Sequence, residues 1–524
     1  MKISLKTTFM VLYVLTAGLY SQTQERIEWP SLADSPWPVL RGDAQGTGRS
    51  EYVGPKTPNI VWTADMPYGI LYGPVIGYND ILYFGTNSIN TTDNQNPGNF
   101  FYAYNPNGTQ FWRYNNEFWW PNNIAPIAAK DSTIYFGSNT GMLYALDYWG
   151  NLNWKVKVAD TVLFQMNIHK DGDLFISSGN LKVVSPEGEI RLVNNDFKEL
   201  YGRISFSPDG EQIYFSTGKL FRPDEPSDFY CTDLEGNVLW KKKSYIPCWE
   251  HPAIDNEGNV YFFGTDSIQA NVQHLYSYTA QGELNWKFSV LNDFGYYSAP
   301  TITINGDLVF PDFEYIGNEG YFKIISINQS GIKNWEYIIE HDGYLGDFRP
   351  NHGFTSDAAG SIYFGSTGGA YFWALNNQGE LMWKIPLEGN EFDSSPAIGS
   401  DGTLYIGTQQ SSSFQDHKKS LISIRDEPNS VEENELPKEF RLEQNYPNPF
   451  NPSTKIKYQL PQASYVTIKI YDMLGREIKV LTQQHYQAGN YELNFDGSDL
   501  SSGTYIYRIT AVDFVDSKKL ILLK

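Results

Sequence analysis

Residues 395–407 read SPAIGSDGTLYIG, and the same phrase returns as GPVIGYNDILYFG at 73–85, APIAAKDSTIYFG at 125–137, HPAIDNEGNVYFFG at 251–264, APTITINGDLVF at 299–310 and GFTSDAAGSIYFG at 353–365. Two looser copies, MNIHKDGDLFIS at 166–177 and ISFSPDGEQIYFS at 204–216, bring the number to eight. Each is a short apolar segment, a turn, and a strand ending on Gly or Ser, which is how a β-hairpin is written in sequence. Every copy but the last is followed by a second hairpin. Its turn reads Gly-x-x-x-Trp in six units: Gly108 with Trp112, Gly150 with Trp154, Gly236 with Trp240, Gly282 with Trp286, Gly331 with Trp335, and Gly379 with Trp383. In the third unit Leu192 follows Gly188 where Trp is expected.

A repeat of about 40 to 50 residues holding four strands fits the blades of a propeller and not a helical solenoid. The chain is therefore expected to be all-β, with an eight-bladed β-propeller over 59–425. Alternation within a strand, as in Leu143, Ala145 and Asp147 against Tyr144 and Leu146, gives each blade two faces to pack on its neighbours. The eighth unit lacks its Gly-x-x-x-Trp strand, and Trp62 stands alone in PNIVWTAD at 58–65, ahead of the first full unit. The N-terminal strand is expected to complete the last blade, closing the ring and removing exposed strand edges.

The eight copies, the six Gly-x-x-x-Trp turns and the segment WPVLRGDAQGTGRS at 37–50 resemble quinoprotein-like propellers, over residues 37 to 425. That group includes outer-membrane assembly factors and dehydrogenases using pyrroloquinoline quinone (PQQ), so the resemblance implies the fold and leaves the activity open. Many such enzymes carry two adjacent cysteines beneath the cofactor, with calcium ligands near the axis. Here the two cysteines, Cys231 and Cys248, are not adjacent. They are candidates either for a disulfide with each other or for two buried thiols.

Composition agrees with a secreted β-protein. Aromatic residues make up 16% of the 524, charged residues only 19%, and the net charge of −21 argues against binding nucleic acid, which needs clustered Lys and Arg. Residues 1–21 read as a secretory signal: Lys2 and Lys6, an apolar run from Phe9 to Ala17, and small residues before Ser21. No later apolar run is long enough for a transmembrane segment. Residues 22–58 form an N-terminal extension.

After a polar, acidic linker at 426–439, residues 440–524 read as alternating strands between Gly and Pro turns, a small β-sandwich. LEQNYPNPF at 442–450, IYDMLGRE at 470–477, LSSGTYIY at 500–507 and the terminal KKLILLK occur in order. Together they resemble the type A sorting domain of type IX secretion substrates, and Tyr446, Pro447, Asn448, Pro449, Phe450, Gly475, Gly503, Lys518 and Lys519 carry the match. The resemblance implies the type IX secretion machinery as a partner and a final place at the outer cell surface or in the medium, reached through the periplasm.

No zinc, nucleophile-elbow or phosphate-loop motif occurs, so no catalytic or metal-binding residue is assigned and an enzyme is not the favoured reading. Asp171 to Asp173, Asp209 with Gly210 and Asp401 with Gly402 suit hairpin turns better than calcium loops. A ligand is expected in the axial funnel where innermost strands begin, with Gln165, Arg203, Glu250, His251, His352 and Asp393 as the binding candidates and Tyr72, Asn123 and Ser298 beside them. Phe118, Trp119 and Trp120 are read as core before stacking surface. The polar insertions 86–99, 219–228 and 408–419 add recognition loops. These features favour a surface or secreted binding protein without a cofactor, whose ligand is an extracellular protein or glycan. The alternatives are a PQQ- and calcium-dependent sugar or alcohol dehydrogenase and an outer-membrane assembly scaffold.

Overall fold

The computed structural model describes residues 23–67, 69–70, 73–86, 100–115, 125–138, 140–160, 165–200, 202–218, 227–244, 251–266, 272–290, 299–316, 319–339, 353–365, 371–386, 390–392, 395–410, 419–427, 437, 439–512 and 514–523. The expected signal at 1–21 and most of the linker lie outside them. The chain divides into two compact units, Met1–Asp426 and Glu427–Lys524.

The first unit contains eight four-stranded antiparallel sheets. Blades 1 to 7 each run through the chain in order, from an innermost strand such as Ala253–Ile254 to an outermost one such as Leu284–Val290. The eighth is composite. Strands Ala397–Ile398, Leu404–Gly407 and Lys419–Arg425 are completed by Asn59–Met66, which pairs antiparallel with the last of them from Asn59 opposite Arg425 to Met66 opposite Lys419. The expected closure is therefore present.

Apolar cores between neighbouring blades form an unbroken circuit. Phe101 of blade 1 stacks on Phe136 of blade 2 at 4.1 Å between centroids. One core then links blades 2, 3 and 4, Phe229 stacks on Phe262 between blades 4 and 5 at 3.7 Å, and further cores join 5 to 6, 6 to 7 and 7 to 8. The circuit ends where it began, with Met66, Tyr405 and Leu421 of blade 8 packed on Ile76, Leu82 and Phe84 of blade 1.

The Gly-x-x-x-Trp spacing has a structural reason. Six outermost-strand Trp residues lie across the turn Gly of the next blade: Trp62 on Gly108, Trp112 on Gly150, Trp154 on Gly188, Trp240 on Gly282, Trp286 on Gly331 and Trp335 on Gly379. In the first five of these a Cβ on the glycine would come within 2.6–2.8 Å of the indole, so only Gly admits the contact. The same glycines adopt φ between 77° and 89°, which their turns require. Each indole Nε1 donates to the carbonyl two residues ahead of that glycine, as from Trp62 to Pro106 at 2.9 Å and from Trp286 to Gln329 at 2.7 Å. In six blades the Trp also packs against a second-strand Tyr of its own blade, as Trp112 does on Tyr83 at 5.8 Å.

Two joints are built differently. In blade 3, where Leu192 replaces Trp, Asn194 and Phe197 occupy the space over Gly236, and Asn194 Nδ2 donates to Glu235 O at 3.3 Å. Trp383 of blade 7 has no repeat turn to meet, because the outermost strand of blade 8 comes from the chain's start. It donates instead to Pro55 O at 3.0 Å. Beside it, Asp426 Oδ1 accepts the amides of Lys56 and Thr57 at 2.7 and 2.8 Å.

Residues 37–50 line the axis, a role the repeat does not announce. The second residue of an innermost strand carries an N–H on the sheet's inner edge, which needs a partner when buried. The amides of Ile76, Ala128, Phe206, Ile254, Ile302 and Ser356 donate in turn to the carbonyls of Trp37, Pro38, Ala44, Gln45, Thr47 and Gly48 at 2.7–3.1 Å. Blade 3 contributes Asn167 Nδ2, which donates to Ala44 O at 3.0 Å. The extension is thus an axial plug tied to seven blades. Arg41 is its fully buried anchor, donating to the carbonyls of Gly46, Thr47, Phe354 and Pro300 and to Thr301 Oγ1, the shortest bond being 2.7 Å to Pro300.

Cys231 is a free thiol buried on the third strand of blade 4, where burial pushes its pKa up to about 12. Cys248 lies outside the described residues.

The second unit is a β-sandwich. A three-stranded sheet (Arg441–Leu442, Ser453–Leu460, Gly489–Asp496) faces a four-stranded one (Glu477–Tyr486, Ser464–Tyr471, Gly503–Ala511, Phe514–Leu522). Ile456, Tyr458 and Phe495 of the first pack against Val466, Ile468, Ile509 and Leu522 of the second.

Two outcomes follow for stability. Gly282→Ala or Gly331→Ala, placing a Cβ at positive φ against an indole, is expected to cost about 1–3 kcal/mol, read as a lowered thermal midpoint of the propeller. Arg41→Met leaves buried carbonyls without their donor and is expected to cost about 3 kcal/mol, with faster trypsin cleavage between residues 23 and 58.

Candidate functional site

Around the axis, the innermost strands begin beside residues 37–50, which accept their amides. Arg203 and His251 stand at equivalent positions, each two residues ahead of the innermost strand of its blade, in blades 4 and 5. They are 1% and 2% exposed. Gln165, the first residue of the innermost strand of blade 3, is also buried, and its carbonyl accepts from Ser177 Oγ at 3.5 Å. His251 Nδ1 lies 3.3 Å from Ser205 Oγ, which donates to Pro252 O at 2.7 Å. Gly46 presses directly on this ring, since a Cβ there would fall 2.8 Å from His251 Cβ.

Of the described members of the predicted ring, His251 lies against Gly46, while Gln165 and Arg203 are buried. Glu250, His352 and Asp393 lie outside the described residues, as do Tyr72, Asn123, Ser298 and the Phe118 to Trp120 cluster. The long insertions lie largely outside them as well.

Gly46 lies against His251, and the Arg41 guanidinium reaches the carbonyls of Pro300 and Phe354, which precede the innermost strands of blades 6 and 7. The acids proposed above for hairpins serve their turns: Asp171 Oδ1 accepts the Asp173 amide at 2.9 Å, Asp209 Oδ1 the Glu211 amide at 3.0 Å, and Asp401 Oδ1 the Thr403 amide at 3.0 Å. No group of three or more His, Cys, Asp or Glu residues suited to a metal ion occurs among the described residues.

Sequence reasoning missed Arg41 and Asp43 as structural residues of the axis. Asp43 receives both the Thr47 amide at 3.0 Å and the Thr47 hydroxyl. The one available signal was the cluster of Gly42, Gly46 and Gly48 within 37–50, all at positive φ.

In the C-terminal unit the motif residues converge on one strand. Phe450 is 2% exposed, packs on Phe495, and exchanges backbone hydrogen bonds with the last strand, its N–H to Ile521 O and its carbonyl accepting from Leu523, both at 2.9 Å. Asn448 brackets the same strand, with Nδ2 donating to Lys519 O at 3.1 Å and Oδ1 accepting from the Ile521 amide at 2.9 Å. The Tyr446–Pro447 and Asn448–Pro449 bonds are cis. Lys519 thus contributes its backbone to the motif, while Lys518 Nζ pairs with Asp516 at 3.4 Å. Gly503 opens the strand that pairs with this one.

Gly475, at φ 80°, closes a turn in which Asp472 Oδ1 accepts the Leu474 and Arg476 amides, both at 2.9 Å. The Arg476 amide bond holds the Asp472 carboxyl below the usual carboxylate range. Tyr446 and Leu474 project into solvent, 82% and 80% exposed.

Among solved structures, the chain is similar to BamB from Moraxella catarrhalis, at 14% identity over 70% of this chain and 100% of that one, with a TM-score of 0.46. It is similar to PorZ, an essential surface component of the type IX secretion system of Porphyromonas gingivalis, at 12% identity over 90% of this chain and 60% of that one, with a TM-score of 0.39. The Dos1 propeller gives 10% identity over 71% and 99%, with a TM-score of 0.48. No curated protein matches the sequence. No helix among the described residues is long and apolar enough to cross a membrane. Residues 444–523 match the family described as Secretion system C-terminal sorting domain, and the C-terminal unit is a type IX sorting domain that directs the chain to the outer cell surface or the medium.

Proposed function

We propose that the exported propeller is a binding module for an extracellular protein or glycan, engaged through loops on the face where innermost strands begin. The observation that carries this reading is the plug. A ring whose axis is filled by its own chain, with Arg41 and Trp37 fully buried, offers a stiff frame for surface recognition more readily than a deep reaction chamber. The sorting domain supports it, because a chain sent outside the cell meets polymers and proteins before it meets metabolites. The net charge of −21 disfavours anionic polymers as bulk partners and favours recognition by local groups.

The mature propeller is expected to give saturable binding on an array of extracellular proteins and glycans and no turnover with a panel of sugars and alcohols supplied with PQQ and calcium. Turnover that depended on His251 would overturn the reading. For export, deleting 444–523 in a type IX-competent host should leave the propeller in the periplasm. Phe450→Ala, which empties a buried site, is expected to cost the sandwich about 3–5 kcal/mol and to reduce export through misfolding. Tyr446→Ala, at an exposed position, should leave the melting of the tail unchanged, so any export defect it causes would report recognition.

A further inference from the structure

A second concavity lies away from the axis, between blades 2 and 3. The outermost strand of blade 2, Leu152–Lys157, leads into it, and residues 178–180 join the second and third strands of blade 3 on its other side. The cavity holds about 460 Å³, within the range of about 300–1,000 Å³ common for small-ligand sites.

Its lips are pinned by backbone hydrogen bonds. The Val158 amide donates to Gly141 O at 2.8 Å, and the Gly179 amide to Leu200 O at 2.9 Å. A site held this way loses little entropy on binding.

Lys182 is the unusual member of the lining. It is 8% exposed, and its ammonium has no hydrogen-bond partner among the described residues. Burial pulls its pKa below the ordinary lysine value, against the pull of Asp160 in the other direction. Asp160 is itself fully in solvent, 4.0 Å from the exposed Lys157, and is the one acidic group in the lining that competes for Lys182. The Lys182 stem is buried while its ammonium faces the cavity without a hydrogen-bond partner, which leaves the charge available to an anion there. Two lysines and one aspartate make this lining locally positive on a chain of net charge −21.

The rest of the lining says what else the ligand carries. Ser178 and Asn180 are polar, Asn180 Oδ1 is buried without a hydrogen-bond partner, and Val158 and Ala159 are the apolar part. Such a wall suits a hydroxylated body more than a greasy one.

We propose that this cavity binds the carboxylate of a small acidic sugar, with Lys182 as the residue that pairs with the carboxylate. The inference rests on the binding-module reading above and names a ligand class for one place on the ring.

Titration of the mature full chain with glucuronate, followed by calorimetry and saturation-transfer NMR, tests it, with glucose and acetate as the neutral and merely anionic controls. Glucuronate is expected to bind about tenfold or more tightly than either control. Lys182→Met is expected to weaken glucuronate about tenfold or more. Asp160→Asn, a change at a fully exposed residue, removes the competing charge and is expected to strengthen binding a few-fold, which keeps the test sound should the buried substitution disturb the blade. Unchanged binding in Lys182→Met with an intact melting transition, or acetate matching glucuronate, would overturn the proposal. So would failure of glucuronate to bind at all; array binding of some other ligand in that case would leave the binding-module reading standing.

Discussion

The ring depends on an indole lying flat on a glycine. At six joints an outermost-strand Trp reaches over the turn of the next blade, and the turn must lack a Cβ to receive it. The indole N–H then fixes the angle by donating to a carbonyl two residues ahead of that glycine. An aromatic contact with a hydrogen bond at its edge is worth about 1–3 kcal/mol in sum, and it repeats around the circle. Six of the eight joints take their Trp from one blade and their Gly from the next, and the joints at either side of the last blade draw on the N-terminal segment. Trp62 supplies the missing plate to Gly108, and Pro55 receives the indole of Trp383. Closure by the N-terminal strand therefore supplies the contacts on both sides of the last blade.

Closure in turn brings the preceding residues to the axis. Innermost strands of two residues leave amides on the inner edge, and residues 37–50 accept them blade by blade. A ring completed by residues 59–66 has its own extension at hand to fill the channel, so the two devices come from one stretch of chain. Arg203 and His251, just ahead of the innermost strands of blades 4 and 5, are buried.

What was legible in the sequence followed from which contacts need side chains at fixed spacing. The Trp-on-Gly joint does, so the blade count, the strand around Trp62 and the weak third unit were all readable. The repair of that unit was not, because Asn194 and Phe197 act from positions outside the repeat spacing. The plug was harder still: its contacts run through backbone carbonyls, to which the sequence is nearly silent, and only Arg41 and three glycines hint at a packed environment. The binding candidates were chosen by topology alone. Topology put Arg203 and His251 at matching places in adjacent blades, yet it had no means of showing that Gly46 lies against His251. In the sorting domain the recognisable words are those that hold a strand in place. Asn448 and Phe450 grip the terminal strand through its backbone, which explains why the motif and the strand read as separate words far apart in the chain.

The central claim is that residues 37–50 are an integral part of the propeller and occupy its axis. Hydrogen–deuterium exchange of the mature chain tests it most directly. The amides of Gly42, Gly46, Gly48 and Ser50, which are bonded to Val39, Asp43, Arg41 and Ser356, should exchange as slowly as the second strand of blade 5, Val260–Gly264. Exchange across 37–50 at the rate of an unstructured chain, with the blades still protected, would contradict the account.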